Sequence, residues 1–273
     1  MALNGRRLTF AAFLVAGLWV PSARAACVNC HESQLHYRSI GSCVSCHGGM
    51  EKTDRKAIAH TGLLAGRFSH HLIPASDHVK RGNEIIEAFS CRRCHLIAGK
   101  GNRLAANLDD APLRESAQLL LNSIRAPSLF MPDFEFTESQ LTDVMNSILA
   151  AAKNRTLRDT ANQETPQVIH FEESVPENSS AFEKHCGGCH RVLSASAGAL
   201  GRSNTGPNLS GLFSPHYPKT FEGRKTWTAD SLKKWLRNPR ALNKTTRMPP
   251  VEKAAYSDAV IWAKLTDELS AKH

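Results

Sequence analysis

The sequence CVNCHESQLHYRSIGSCVSCH, residues 27–47, contains two Cys-x-x-Cys-His units close together. Two such units can form a zinc site, a disulfide-linked loop or two haem attachment points. Only haem attachment gives a fixed role to the histidine that directly follows each cysteine pair. The positions of the remaining cysteines therefore decide between the three possibilities.

All eight cysteines of the chain follow the same pattern. The four motifs are Cys27-x-x-Cys30-His31, Cys43-x-x-Cys46-His47, Cys91-x-x-Cys94-His95 and Cys186-x-x-Cys189-His190. A disulfide framework does not explain the four histidines, and tetrahedral zinc sites would leave the last two pairs isolated. In c-type haem attachment the two thiols form thioethers and the histidine is the proximal iron ligand. The sequence therefore predicts four covalently bound haem c groups.

The first 25 residues have the pattern of an export signal. Arg6 and Arg7 precede the apolar stretch 8–20, and Ala23-Arg24-Ala25 is a small-x-small cleavage site. The apolar stretch is shorter than the roughly 20 residues that a membrane span needs, and no later stretch is long and apolar enough. We expect a cleaved signal peptide at 1–25 and a periplasmic or otherwise exported mature chain without a membrane span.

The formal net charge of +9 raises the question of nucleic-acid binding. Three of the positive charges lie in the predicted signal peptide, which leaves +6 on the mature chain. The propionates of four haem groups would more than cancel this surplus. We therefore expect no nucleic-acid partner.

The spacing of the motifs divides the mature chain into three haem-bearing segments. The N-terminal segment (26–77) holds two motifs and is too short for a conventional core, so its haems must supply most of the apolar mass. The middle segment (78–153) and the C-terminal segment (177–273) hold one motif each. Residues 154–176 are polar and contain several Asn, Gln and Pro residues, which is typical of a linker.

The middle segment has a recognisable order of elements. A helical run at 79–89 precedes the motif, and a loop with Asn107-Leu108 and a helix around 115–125 follow it. Met131-Pro132 comes next, and a capping box at Thr137 then begins a final helix with one apolar stripe.

The C-terminal segment repeats this order. A short helix at 180–185 precedes the motif, and the loop Gly206-Pro207-Asn208-Leu209 follows it. Thr228 is predicted to cap the next helix. Met248-Pro249-Pro250 comes next, and Ser257 is predicted to cap the last helix.

The order of helix, motif, loop, helix, Met-Pro and helix resembles class I cytochrome c, and the four motifs together resemble multihaem c-type cytochromes. The resemblance implies that the methionine before proline is the distal iron ligand, hence Met131 and Met248. It also implies a mainly α fold, with a haem-organised N-terminal dihaem segment followed by two small all-α cytochrome c domains. The middle segment departs from the family because it lacks Gly-Pro before Asn107-Leu108.

The N-terminal segment has no comparable methionine, because Met50 lies only three residues after His47 on the proximal side of that haem. Histidine is the natural second ligand there, which gives bis-histidine haems. We expect His36 and His60 to serve. His70 and His71 are their rivals, because Phe68-Ser69-His70-His71 resembles the histidine pairs of small multihaem cytochromes.

These expectations favour an exported tetrahaem c-type cytochrome that carries electrons from haem to haem between redox partners of an anaerobic respiratory chain. Methionine-histidine ligation raises the potential of a haem relative to bis-histidine ligation. The partners are expected to be redox proteins, with a membrane quinol-oxidising or acceptor-reducing complex as one option. An electron-transfer protein is favoured over an enzyme. The alternative is a multihaem oxidoreductase in which one open-coordinate haem acts on a small inorganic substrate.

Overall fold

The computed structural model describes residues 27, 42–64, 66–128, 130–155 and 180–271, except the side chains of Ser45 and Cys46. Within these ranges the chain is mainly α-helical with one short β-hairpin, which confirms the mainly α fold class. No helix in the described ranges is long and apolar enough to cross a membrane. The predicted signal peptide and nearly all of the predicted linker lie outside the described residues.

The elements follow one another along the three segments. The N-terminal segment contains α1 (Cys43–His47), α2 (Lys56–Ala59) and a 3-10 helix (Gly66–Leu72). The middle segment begins with α3 (Asp77–Ala88) and continues with a 3-10 turn (Cys91–Arg93), α4 (Ala111–Arg114), α5 (Ala117–Arg125) and α6 (Glu138–Ala152). The C-terminal segment contains α7 (Ala181–His185), β1 (Val192–Ser194), β2 (Gly198–Leu200), α8 (Ala229–Arg237), α9 (Pro239–Leu242), α10 (Ala254–Ser257) and α11 (Ala259–Glu268).

Helix α6 is the centre of the middle segment. Its predicted apolar stripe is the buried face, which consists of Leu141, Val144, Met145 and Ile148. This face packs against Leu121 of α5 and against Phe68 of the 3-10 helix. Phe68 is only 1% exposed, so the end of the N-terminal segment shares a core with the middle segment.

Helix α3 packs directly against α6 at Gly82. A Cβ at this position would lie 2.1 Å from the carbonyl oxygen of Asp143 and 2.8 Å from Cβ of Ser147. Only glycine permits this separation between the helices. The helix that leads into the Cys91 motif is therefore fixed against the central helix.

The C-terminal segment has a core of its own. Its buried residues are Ala181, Phe182, Val192, Leu200, Leu212, Tyr217, Leu232, Leu236, Leu265 and Leu269. They come from α7, the hairpin, α8 and α11 and from the loop between β2 and α8. The hairpin, in which Val192 pairs with Leu200, was not predicted from the sequence.

Two predicted helix caps are confirmed. The hydroxyl of Thr137 accepts a bond from Gln140 N at 3.3 Å, and the Gln140 side chain accepts from Thr137 N at 2.9 Å. The hydroxyl of Thr228 accepts a bond from Ser231 N at 3.1 Å. In both cases a side-chain oxygen satisfies an amide of the first helical turn.

The predicted cap at Ser257 is wrong. Ser257 ends α10, where its hydroxyl donates to the carbonyl oxygen of Lys253 at 2.8 Å. Asp258 caps α11 instead, and its carboxylate accepts bonds from the amides of Val260 and Ile261 at 2.9 and 3.0 Å. A carboxylate also interacts favourably with the positive end of the helix dipole, which serine does not match.

Glu268 joins the last helix to the helix before the Cys186 motif. It is 2% exposed, and its carboxylate accepts bonds from the amides of Ala181 at 3.3 Å and Phe182 at 2.7 Å. These amides belong to the first turn of α7 and have no partner within that helix. The last helix thereby fixes α7, the helix that leads into the fourth motif.

Replacement of Glu268 by alanine leaves two buried amides without acceptors. We expect the free energy of unfolding to fall by about 2 kcal/mol, measured by chemical denaturation. The exposed neighbour Asp267 provides the control, since Asp267→Ala should change stability by less than about 0.5 kcal/mol. An equally small effect of Glu268→Ala would contradict the anchoring role.

Candidate haem-binding sites

The ring of His190 is fixed by the loop at Gly206-Pro207. Its Nδ1 lies 2.8 Å from the carbonyl oxygen of Pro207. Because a carbonyl oxygen only accepts, Nδ1 carries the proton and the lone pair of Nε2 remains available. Gly206 lies against the ring, and a Cβ there would approach Cε1 to 2.3 Å. The loop thus sets the tautomer and the orientation, as the backbone does for metal-ligating histidines.

His95 has the same arrangement in the middle segment. Its Nδ1 lies 2.7 Å from the carbonyl oxygen of Ala106. Burial lowers the pKa of His95, although the bond to Ala106 opposes this shift, so the ring is neutral at pH 7. The Nε2 lone pair of His95 is therefore also available for a metal.

The loops behind the two motifs are equivalent bond by bond. The amide of Leu108 donates to the carbonyl of Leu96 at 3.0 Å, and that of Leu209 donates to the carbonyl of Arg191 at 2.8 Å. Leu96 and Arg191 each follow the motif histidine directly. Ala106 in the middle segment therefore occupies the place of Pro207, and the missing Gly-Pro does not change the bond to the histidine.

The next residue of each loop makes the same turn. Asn107 Oδ1 accepts from the amide of Asp109 at 2.9 Å, and Asn208 Oδ1 accepts from the amide of Ser210 at 2.8 Å. An asparagine side chain that bonds the amide two residues later forms an Asx turn. The two segments thus present one motif histidine each to the same local construction.

Burial affects the pKa of three of the four thiols in these two motifs. Burial raises the pKa of Cys91 to about 11 and that of Cys186 to about 12, and burial also raises the pKa of Cys94. Such thiols are not thiolate nucleophiles at neutral pH, as a catalytic cysteine would be. The six cysteines whose side chains are described, including the exposed Cys189, form no disulfide. Both cysteines of each motif are therefore free to form thioethers, and together with the histidines they fit covalent haem.

The two predicted methionine ligands lie in non-helical segments, as expected. Met131 follows α5 and lines a cleft of about 870 Å³ together with Phe89 and Arg93. Met248 packs against the core of the C-terminal segment, and its sulfur accepts a bond from Trp235 Nε1 at 3.0 Å. Their ligation of iron remains a prediction.

The N-terminal sites are described only in part. Cys30, His31 and His36 lie outside the described residues, and so does the side chain of Cys46. Cys27 is half-buried and Cys43 is exposed. His47 lies beside the start of the 3-10 helix, since its carbonyl oxygen accepts from the amide of Leu64 at 2.6 Å. The second motif is therefore close to the helix that carries His70 and His71.

His71 has the environment of a metal-ligating histidine. Its Nδ1 lies 2.7 Å from the carbonyl oxygen of Phe68, which leaves Nε2 available. Its amide donates to Oδ1 of the fully buried Asn146 at 2.9 Å. Burial lowers the pKa of His71, and the ring lines a cleft of about 630 Å³. His60, by contrast, is exposed at the end of α2.

His70 belongs to a different cluster, which the sequence interpretation missed. Its ring stacks on that of His78 with 4.0 Å between ring centroids. His78 Nδ1 lies 2.6 Å from the Asp143 carboxylate, and Arg81 contacts the same carboxylate at 2.8 and 3.1 Å. Burial alone would raise the pKa of Asp143, but the bonds from Arg81 and His78 outweigh it and lower that pKa. Asp143 lies outside the apolar stripe of α6, so no pattern in the sequence indicated that it would be buried beside His78 and Arg81.

Comparison with known proteins gives no match. No family model, no curated protein and no solved structure matches this chain. Among the described residues, no three His, Cys, Asp or Glu side chains are grouped so as to hold a metal ion. The functional assignment therefore depends on the motifs and on the bonds around His95 and His190.

Substitution of Gly206 tests whether the loop holds His190 for a metal. In Gly206→Ala the new methyl group would lie between 2.3 and 2.8 Å from three atoms of the His190 ring, which must move. In the haem-loaded protein that the motifs predict, we expect one haem to become high-spin, measured by absorption and electron paramagnetic resonance spectra of the oxidised protein. Gly188→Ala is the matched control, because a Cβ at Gly188 meets nothing within 4 Å. Unchanged spectra in Gly206→Ala would contradict the role of this loop.

Proposed function

We propose that the protein is an exported tetrahaem c-type cytochrome with an N-terminal dihaem segment and two class I cytochrome c-like domains. In this proposal it transfers electrons between redox partners of an anaerobic respiratory chain. The observation that carries the proposal is the repeated environment of His95 and His190. Each ring is held through Nδ1 by a backbone carbonyl at the same place in equivalent loops.

The bound haem groups supply one-electron oxidation and reduction. The eight motif cysteines would attach them, and the four motif histidines would bind the irons as proximal ligands. Nδ1 of His95 and of His190 bonds a backbone carbonyl, so the Nε2 lone pair of each ring would be available to bind iron. His190 is 8% exposed, so water has little access to its ring.

The distal ligands follow the division of the chain. Met131 and Met248 are the proposed distal ligands of the middle and C-terminal segments. In the N-terminal segment, two of the histidines are the proposed distal ligands, chosen from His36, His60, His70 and His71. The bond from Nδ1 to the carbonyl of Phe68 favours His71, since it is the arrangement found at both described proximal histidines of the later segments. His70 instead stacks on His78.

The proposed partners are redox proteins, and a membrane quinol-oxidising or acceptor-reducing complex is one such partner. The export signal at 1–25 supports a periplasmic or otherwise exported location. The charge balance gives no support to a nucleic-acid partner. All eight cysteines would be used as haem thioethers, so none would remain as a nucleophile, which favours a carrier over an enzyme that uses a cysteine.

The haem content tests the proposal directly. Intact-mass analysis of protein produced with a haem c attachment system should show four covalent haems. The double change Cys91→Ala/Cys94→Ala should leave three, and so should Cys186→Ala/Cys189→Ala. All haems should be six-coordinate and low-spin. Absence of covalent haem would refute the proposal, and rapid binding of carbon monoxide at one haem would favour the oxidoreductase.

The methionine ligands are tested by the long-wavelength charge-transfer band between methionine sulfur and ferric iron. The band should weaken in Met131→Ala and in Met248→Ala and disappear in the double variant. Met145→Leu is the control, because Met145 is fully buried in the core and the change preserves its volume. A band that survives the double change would show that other residues are the distal ligands.

A further inference from the structure

Asn208 is bonded to both of the segments that carry a single haem motif. It follows Pro207, whose carbonyl holds His190, and its Nδ2 donates to the carbonyl oxygen of Phe130 at 3.0 Å. Phe130 directly precedes Met131 in the middle segment. One amide side chain therefore connects the loop behind one predicted ligand to the residue beside another.

The middle segment also bonds back to the same residue. Arg93, which lies inside the Cys91 motif, donates from a guanidinium nitrogen to the carbonyl oxygen of Asn208 at 3.2 Å. The hydroxyl of Tyr217 donates to that carbonyl at 3.3 Å. Asn208 thus accepts a bond from one haem motif while it supports the loop of the other.

Further contacts surround this connection. Asn102 bridges the segments, because its Nδ2 lies 2.8 Å from the carbonyl oxygen of Arg93 and 2.9 Å from the hydroxyl of Ser214. The guanidinium of Arg191 lies over the ring of Phe130, 5.7 Å from its centroid. Phe130 is therefore held from the C-terminal segment both at its backbone and at its ring.

The equivalent residue of the middle segment does not reach across. Asn107 makes the same turn, but its Nδ2 donates to Asp110 of its own segment at 2.7 Å. The turn therefore needs only the side-chain oxygen of the asparagine. In Asn208 the amide nitrogen remains for a bond to the other segment, and the amide cannot be flipped without losing both bonds.

We propose that Asn208 is a positioning residue that couples the two sites by holding the Met131 segment against the loop that orients His190. This inference rests on the proposed function, since it takes Met131 and His190 as iron ligands. The two sites also share space, because the cleft lined by Met131 is also lined by Gly206, Pro207 and Asn208. A change at Asn208 should therefore weaken the bond between Met131 and its iron, although the two residues belong to different segments.

The experiment uses the full haem-loaded protein in a Met248→Ala background. In that background the remaining methionine-iron band belongs to Met131 alone. Asn208→Asp keeps the oxygen of the turn and removes the donor to Phe130. Asn208→Ser keeps a side-chain oxygen, is too short to reach Phe130 and adds no charge. Imidazole is titrated into each oxidised protein, and the displacement of Met131 is followed through the band.

We expect half-displacement at about fivefold lower imidazole in both Asn208 variants. This factor corresponds to one ordinary hydrogen bond of about 1 kcal/mol. The controls are Asn204→Asp and Asn204→Ser, since Asn204 is exposed on the rim of the same cleft. They should leave the titration unchanged.

The possible outcomes separate the inference from the proposed function. An unchanged titration in both Asn208 variants would overturn the inference, and so would a change confined to the spectrum of the His190 haem. If only one Asn208 variant accumulates, that variant decides. A failure of the proposed function appears earlier, as absent haem or an absent methionine band in the unaltered protein.

Discussion

The bond from Nδ1 of a motif histidine to a loop carbonyl is the constraint on which the rest of this structure depends. It appears at His95 and at His190, with 2.7 and 2.8 Å between the bonded atoms. A free histidine ring has two tautomers and rotates, whereas this bond leaves one tautomer and one orientation. The helices, turns and cores of the middle and C-terminal segments keep this carbonyl oxygen within bonding distance of Nδ1.

The packing of the helices serves this purpose in a different way in each segment. In the middle segment α3 leads into the Cys91 motif and is fixed against α6 because Gly82 allows the backbones to touch. In the C-terminal segment α7 is too short to hold its place through helix bonds alone. Glu268 holds it instead, through two amides of its first turn. The same kind of site is therefore supported once by close backbone packing between two helices and once by a buried carboxylate.

Local features were predictable from the sequence, and long-range ones were not. The motifs, the stripe of α6 and the caps at Thr137 and Thr228 depend on residues a few positions apart, so their spacing reveals them. The predicted cap at Ser257 was wrong because the carboxylate of the neighbouring Asp258 accepts the bonds from the first amides of α11. The ring environment of His71 and the bond from Asn208 to Phe130 join residues that only the fold brings together. No periodicity in the sequence predicts these contacts.

Two asparagine side chains connect the middle segment to its two neighbours. Asn146 of α6 accepts from the amide of His71 and donates to the carbonyl of Arg67, which fixes the end of the N-terminal segment on the middle one. Asn208 of the C-terminal segment donates to the carbonyl of Phe130 and so fixes the C-terminal segment on the middle one. An amide suits both places because it donates and accepts at once, and each bond holds a chain segment beside a candidate ligand. The middle segment, which carries His95, therefore contacts both of its neighbours.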